Sequence, residues 1–243
     1  MELPHISKKQ KEIIHPLIYK FRILNRLQIQ KLLHHKDPKT INIWLKKLYL
    51  NKYLGRIYDP DTFGKNTKLA VYYIDNNGIR YLRKLKDDKN QNMIDNRYLK
   101  LLYSDKHAKE PFINHNIFLA DIFLGLPESY TYLSKSELWE YEELRALKVD
   151  AYIKKPRARY LLHLFDSTVP RYVLEYKVKE YIKFYRSDKW KNVFVFKTFP
   201  SIIFILPNKY KLNYLKKYLK GKYLPLDLIL TAKDEIKTKG FYF

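Results

Sequence analysis

The 243-residue sequence predicts an α+β protein in two parts: a small helical module closed by a β-hairpin, then a larger α/β domain with a mixed sheet. Three observations predict it. Apolar residues recur at helical spacing up to about residue 50. Two short β-rich runs around a Pro/Asp/Gly/Asn-rich turn follow directly. Beyond a polar, aperiodic stretch, β-rich runs come first as a group and then alternate with helical segments, the pattern of a mixed sheet.

Residues 8–18 and 25–34 read as two short helices, with Ile13, Ile14, Leu17, Ile18 and then Ile29, Leu32, Leu33 on their inner faces. A third helix opens in "HKDPKTINIWLKKLYLN", where Asp37 is a good N-cap and Pro38 suits the first helical position. Its core stripe is Ile41, Trp44, Leu45 and Leu48; Lys39, Asn42, Lys46 and Tyr49 fall on another face. Residues 53–58 and 69–74 make the hairpin, and 78–86 a closing helix. The expected boundaries are a first domain at 1–88, a linker at 89–110 and a second domain at 111–243. The second opens with the apolar helix "PFINHNIFLADIFLGL" and continues with strands in "LKVDAYIKK", "RYLLHLFD" and "RYVLEYKV". A helix near 179–190, strands in "NVFVFKT" and "SIIFILP", and a helix in "NKYKLNYLKKYLKG" complete it.

Composition narrows the function classes. With no cysteine, disulfides, thiol catalysis and zinc ribbons are excluded. No apolar run approaches the length of a membrane span, and the N-terminus lacks the apolar core of a signal peptide, so a cytoplasmic location is expected. The formal net charge of +23 favours a polyanionic partner. Drift in an AT-rich genome also enriches Lys, Ile, Asn and Tyr together, so the placement of the charges has to decide.

Three short helices followed by a hairpin are the order of a winged helix-turn-helix, whose third helix meets the DNA major groove with its polar face. The candidate DNA-binding residues are Lys39, Asn42, Lys46, Lys47, Lys52, Arg56, Lys65 and Lys68, on that helix, its exit and the wing. The same module used for protein contacts is the competing reading.

In "RYVLEYKVKE", Glu175 and Lys177 interrupt an apolar run. Read as a strand, period two puts both on one face. With Asp150 on a neighbouring strand they match the restriction-endonuclease-like, or PD-(D/E)xK, pattern. There two carboxylates (Asp150 and Glu175) hold Mg²⁺ and the lysine orients the reacting oxygens. The acid-x-Lys matches Asp87-Asp88-Lys89 and Glu235-Ile236-Lys237 fall outside apolar strands. The bland alternative is an ion pair on a solvated sheet face. His163, in "RYLLHLFD", reads as a core histidine, and no His-x-His motif, Gly-x-Ser-x-Gly or complete P-loop occurs.

The succession "LQIQKLL", "TINIWLKKLYLNKYLGRI", "VYYIDNNGIRYL", "INHNIFLADIF", "ELWEYEELRALKVDAYI" and "YVLEYKVKEYIKFY" resembles the replication-relaxation family of plasmid and mobile-element proteins. The resemblance implies an N-terminal winged helix, an α/β restriction-endonuclease-like domain with a mixed sheet, and a role in plasmid replication and DNA relaxation. Asp150-Ala151 matches the family's Asp-Ala strand and Glu175 its glutamate, while His115-Asn116 matches a family helix loosely. The position of Lys177 is often acidic in the family, so this chain lies nearer the nuclease pattern.

Three functions follow as expectations: a DNA-binding replication or relaxation protein, a Mg²⁺-dependent endonuclease centred on Asp150, Glu175 and Lys177, or a winged-helix repressor. Double-stranded DNA is the expected partner, with a homodimer compatible with each reading. Mg²⁺ is required only by the enzymatic one.

Overall fold

A computed structural model describes residues 3–57, 69–89, 94–193 and 196–239. The chain is α+β and divides into two compact units, Met1–Leu124 and Gly125–Phe243.

The first unit begins with α1 (Lys8–Glu12), started by a reciprocal cap in which the Ser7 hydroxyl accepts from Gln10 N–H and the Gln10 side chain accepts from Ser7 N–H. A π-helical stretch over Ile13–Ile18 leads into α2 (Tyr19–Phe21) and the two-residue strand β1 (Leu24–Asn25). Asn25 and Gln28 repeat the reciprocal cap at the start of α3 (Arg26–Leu32). Helix α4 (Pro38–Leu50) starts as the sequence indicates: the Asp37 carboxylate accepts from Lys39 N–H (2.9 Å) and Thr40 N–H (3.0 Å), with Pro38 in the first turn. Ile41, Leu45 and Leu48 are buried, at the spacing that defines one helix face, while Trp44 is half-buried against the His35 ring.

The hairpin β2 (Leu54–Ile57) and β3 (Val71–Ile74) follows α4, and β1 joins β3 on its other edge, giving a three-stranded antiparallel sheet ordered β1-β3-β2. The hairpin tip, with Lys65 and Lys68, lies outside the described residues. Helices α5 (Asn76–Lys89) and α6 (Asn96–Leu102), a 3₁₀ turn at Asp105–His107 and α7 (Glu110–Leu124) complete the unit. Residues expected as a linker thus include α6, whose Tyr98, Leu99 and Leu102 are buried. Helix α7, expected in the second domain, packs on α2, α3 and β1. Gln28, buried on α3, donates to the Ile117 carbonyl (2.9 Å) and to Asp121 (2.7 Å) on α7. Arg22 forms a buried ion pair with Asp105, whose carboxyl burial pushes up against the opposing pull of the guanidinium.

The second unit is built on a five-stranded mixed sheet ordered β4-β5-β6-β7-β8, namely Thr131–Ser134, Ala151–Lys154, Arg159–Leu164, Ser201–Leu206 and Leu228–Ala232. The first two pairings are antiparallel and the last two parallel. Helix α8 (Glu142–Ala146) lies between β4 and β5, α9 (Arg171–Arg186) crosses from β6 to β7, α10 (Lys209–Leu219) crosses from β7 to β8, and α11 (Lys233–Lys239) ends the unit. Parallel neighbours need such crossovers. Leu161, Ile202, Phe204 and Leu206 of the sheet pack with Leu174, Val178, Tyr181 and Phe184 of α9 and with Leu212 and Leu215 of α10. His163 sits in this core, its ring 4.6 Å from Phe165 and 5.8 Å from Phe204.

One expected strand is a helix. Residues 171–180 belong to α9, which starts after Pro170. Leu174, Val178, Tyr181 and Phe184 are buried and recur every three or four residues, a period that α-helix satisfies and a strand does not. In the run "NVFVFKT", Asn192 ends a 3₁₀ turn, residues 194–195 are outside the described part, and 196–198 form no strand. Strand β8 is not among the elements that the sequence pattern predicts.

Candidate functional site

On α4 the 3.6-residue period separates two faces. Opposite the buried stripe, Lys39, Asn42, Ile43, Lys46 and Leu50 are exposed, with Ile43 and Leu50 each about two-thirds accessible (65% and 64%). Ile43 and Leu50 thus place apolar side chains beside the cations on this face. Asn42, Lys46 and Leu50 line a groove of about 320 Å³ with Leu45 and Tyr49 of the same helix and Arg56 and Tyr72 of the hairpin.

Arg56 is held in place there. Its guanidinium lies 5.3 Å from the centre of the Tyr49 ring and bonds the Tyr72 phenol. Burial raises the Tyr72 phenol's pKa, and the charges of Arg56 and Arg26 oppose that rise. Lys52, at the helix exit in the left-handed region (φ 56°), places its ammonium 5.8 Å from the centre of the same Tyr49 ring. Asn42, Lys46 and Arg56 are therefore brought together. Lys39 shares their helix face, Lys52 approaches through Tyr49, and Lys47 points further round the helix. The sequence places Tyr49 on this face but not Tyr72, whose cross-strand pairing with Arg56 follows only from the hairpin register.

In the second unit, Asp150 is buried just before β5. Its N–H donates to the Leu162 carbonyl (3.1 Å) and its carboxylate accepts from Leu164 N–H (2.8 Å), which ties the start of β5 to β6. Its charge adds to the effect of burial in raising the phenol pKa of Tyr132 and Tyr181. Because residues 171–180 are helical, Glu175 and Lys177 project about 200° apart and not to one side. Glu175 accepts a hydrogen bond from the Tyr214 hydroxyl of α10. Lys177 is buried, donates to the Leu147 carbonyl (3.1 Å) and pairs with Glu180 at 2.5 Å. The two side chains expected on one strand face therefore do not share a face. The acid associated with Lys177 is Glu180, one turn on, and Glu180 also raises the Tyr181 phenol with Asp150. A helical reading finds it at the i+3 position. Among the described residues no three His, Asp or Glu side chains are grouped to hold a metal ion.

The acidic "ELWEYEEL" stretch is engaged locally. Glu137 accepts from Ser134 N–H (2.7 Å), and Tyr141, mainly through burial and secondarily through Glu140, is pushed up to about 12. No described helix is long and apolar enough to cross a membrane.

These features define a two-unit, strongly basic α+β protein with a solvent-facing helix–hairpin groove in one unit and a mixed sheet in the other. The family model for replication-relaxation proteins matches residues 16–197, three-quarters of the chain, and the protein belongs to that family. No curated protein and no solved structure matches it.

Proposed function

We propose that this protein binds double-stranded DNA through α4 and the β2–β3 hairpin, in the manner of a winged helix-turn-helix, and acts in replication or relaxation of a plasmid or other mobile element. The observation that carries the reading is the grouping of Asn42, Lys46 and Arg56 around one open groove, on the helix face that also exposes Ile43 and Leu50. An amide can read adenine, a cation can meet guanine or phosphate, and branched aliphatic side chains suit thymine methyls. Family membership supports the biological role. Titration of a fluorescein-labelled duplex at several salt concentrations tests the proposal. Binding that weakens steeply with salt, and a Lys46→Ala/Arg56→Ala variant with a shallower log–log salt slope, are expected. A variant that matches wild type at low salt rules the groove out as the interface.

A second reading is Mg²⁺-dependent DNA cleavage through Asp150, Glu175 and Lys177, favoured by the burial of Asp150 and Lys177 in the same unit. The three do not fit a shared metal site: Glu175 is engaged by Tyr214, while Lys177 is engaged on the opposite side of α9. No step is therefore derived through Mg²⁺. Supercoiled plasmid incubated with Mg²⁺ tests it; loss of nicking in both Asp150→Ala and Glu175→Ala would establish the reading, and equal nicking in all three proteins would eliminate it.

A further inference from the structure

We infer that the outward face of α9 is a second nucleic-acid surface, one that takes single-stranded DNA. Tyr172, Tyr176, Lys179, Lys183 and Arg186 are all exposed and fall on one helical stripe, with the tyrosines 70% and 60% accessible. The two rings stand one turn apart, about 6 Å along the axis, a step that successive bases of a stretched strand can follow. Tyrosine rings this exposed contribute nothing to the core, whose α9 side is Leu174, Val178, Tyr181 and Phe184. The cations extend the stripe towards the C-terminal end, where Lys179, Lys183 and Arg186 surround an open depression floored by Ile182.

The stripe continues onto α10. Arg171 lies 4.9 Å from the Tyr210 ring centre and 4.7 Å from that of Tyr214, and Tyr210 is itself 62% accessible. Of the two acids of α9, Glu180 is paired with Lys177, while Glu175, held by the Tyr214 hydroxyl, keeps its charge and is outnumbered by Arg171, Lys179, Lys183 and Arg186. Helix α10 contains no acidic residue, and Lys217 is exposed on the side of Tyr210; Lys209 and Lys216 are turned towards Glu235.

The occupant follows from the combination. Cations alone would suit any polyanion. Interleaved exposed rings favour a strand whose bases are unstacked, since a duplex keeps its bases inside and offers such rings only sugar and phosphate. Ring stacking on bases is tolerant of sequence, so the surface would hold a strand without reading it.

The test uses the full-length protein and fluorescence anisotropy with labelled oligothymidylate, labelled duplex, and vesicles of mixed neutral and anionic phospholipid. Tyr172→Ala/Tyr176→Ala should weaken oligothymidylate binding by about thirtyfold or more, the loss expected from two stacked bases, and leave duplex binding within twofold. Tyr172→Phe/Tyr176→Phe should retain wild-type affinity, because the ring and not the hydroxyl stacks. Lys179→Ala/Lys183→Ala should lower the single-strand salt slope by about 1.4, from about 0.7 for each phosphate no longer neutralised. Unchanged oligothymidylate affinity in the Tyr→Ala variant overturns the proposal. So does an equal loss on duplex, or a loss seen only on vesicles. The Lys46→Ala/Arg56→Ala variant provides the separation: duplex binding unchanged in that variant removes the α4 groove as an interface and leaves the oligothymidylate result standing.

Discussion

Helices α4 and α9 are of similar length, 13 and 16 residues, and each carries charges that stand out in the sequence. They use those charges in opposite ways. On α4 the polar residues of interest face solvent, and Arg56, from the hairpin, is held at the mouth of an open groove by Tyr49 and Tyr72. On α9 the pair with a catalytic pattern is divided by the helix, with Lys177 turned inwards onto a backbone carbonyl and Glu180, and Glu175 turned towards α10. A charge in an apolar run has two physical solutions, an internal partner or an external one. The first supports the fold and the second is available to a ligand.

The largest test of this contrast is removal of the inward cation. Lys177→Ala leaves the Leu147 carbonyl and the Glu180 carboxylate without their observed donor, and should destabilise the second unit by about 3 kcal/mol. That is the lower end for breaking a buried pair, because Glu180 is partly exposed. Urea unfolding followed by tryptophan fluorescence in a Trp44→Phe background, where Trp139 and Trp190 of the second unit remain, measures it. A loss below about 1 kcal/mol, the size of a typical single hydrogen bond, would mean that Lys177 is not structural.

The same contrast explains what can be read from the sequence. The first unit is legible because its signals are local: the Asp37-Pro38 start, the Ile41, Leu45 and Leu48 stripe, and a turn between two β-rich runs. The second is legible in β5, β6 and β7, which lie within the runs at 147–155, 159–166 and 201–207, but not in α9. There Val173, Leu174, Tyr176 and Val178 fit alternation over a few residues, and only the continuation to Tyr181 and Phe184 exposes the longer period. Glu180 escapes notice as Lys177's partner for that reason. Helix α7 falls on the wrong side of the expected boundary because apolarity marks a buried helix without saying which core buries it; the polar contacts of Gln28 with Ile117 and Asp121 join residues far apart in the chain.

An intermediate effect is expected at the outward-facing groove, and in binding instead of stability. Lys46→Ala should leave the urea midpoint unchanged, since Lys46 is exposed, and weaken duplex binding at low salt by up to about tenfold, about 1.4 kcal/mol at 25 °C. A shift in the urea midpoint comparable to that of Lys177→Ala would erase the distinction between the two helices. Glu175→Gln belongs lower on the scale. The amide oxygen can still accept from Tyr214 and the side chain is only half-buried, so a change within about 0.5 kcal/mol is expected by the same unfolding measurement.

A last effect concerns the exposed cap that sets the start of α4, and its pH dependence gives it away. The Thr40 hydroxyl, followed by the N–H groups of Lys39 and Thr40, holds the Asp37 carboxyl below its ordinary range. A carboxyl depressed in the folded state contributes stability above its unfolded pKa, about 3.9, and loses it as the pH falls through the lower folded value. Asp37→Ala should therefore lower Tm at neutral pH, with the difference from wild type closing only as the pH drops below about 4. Circular dichroism melts across that interval measure the closure. A Tm difference that is constant with pH would show that Asp37 acts by its shape and not by its charge.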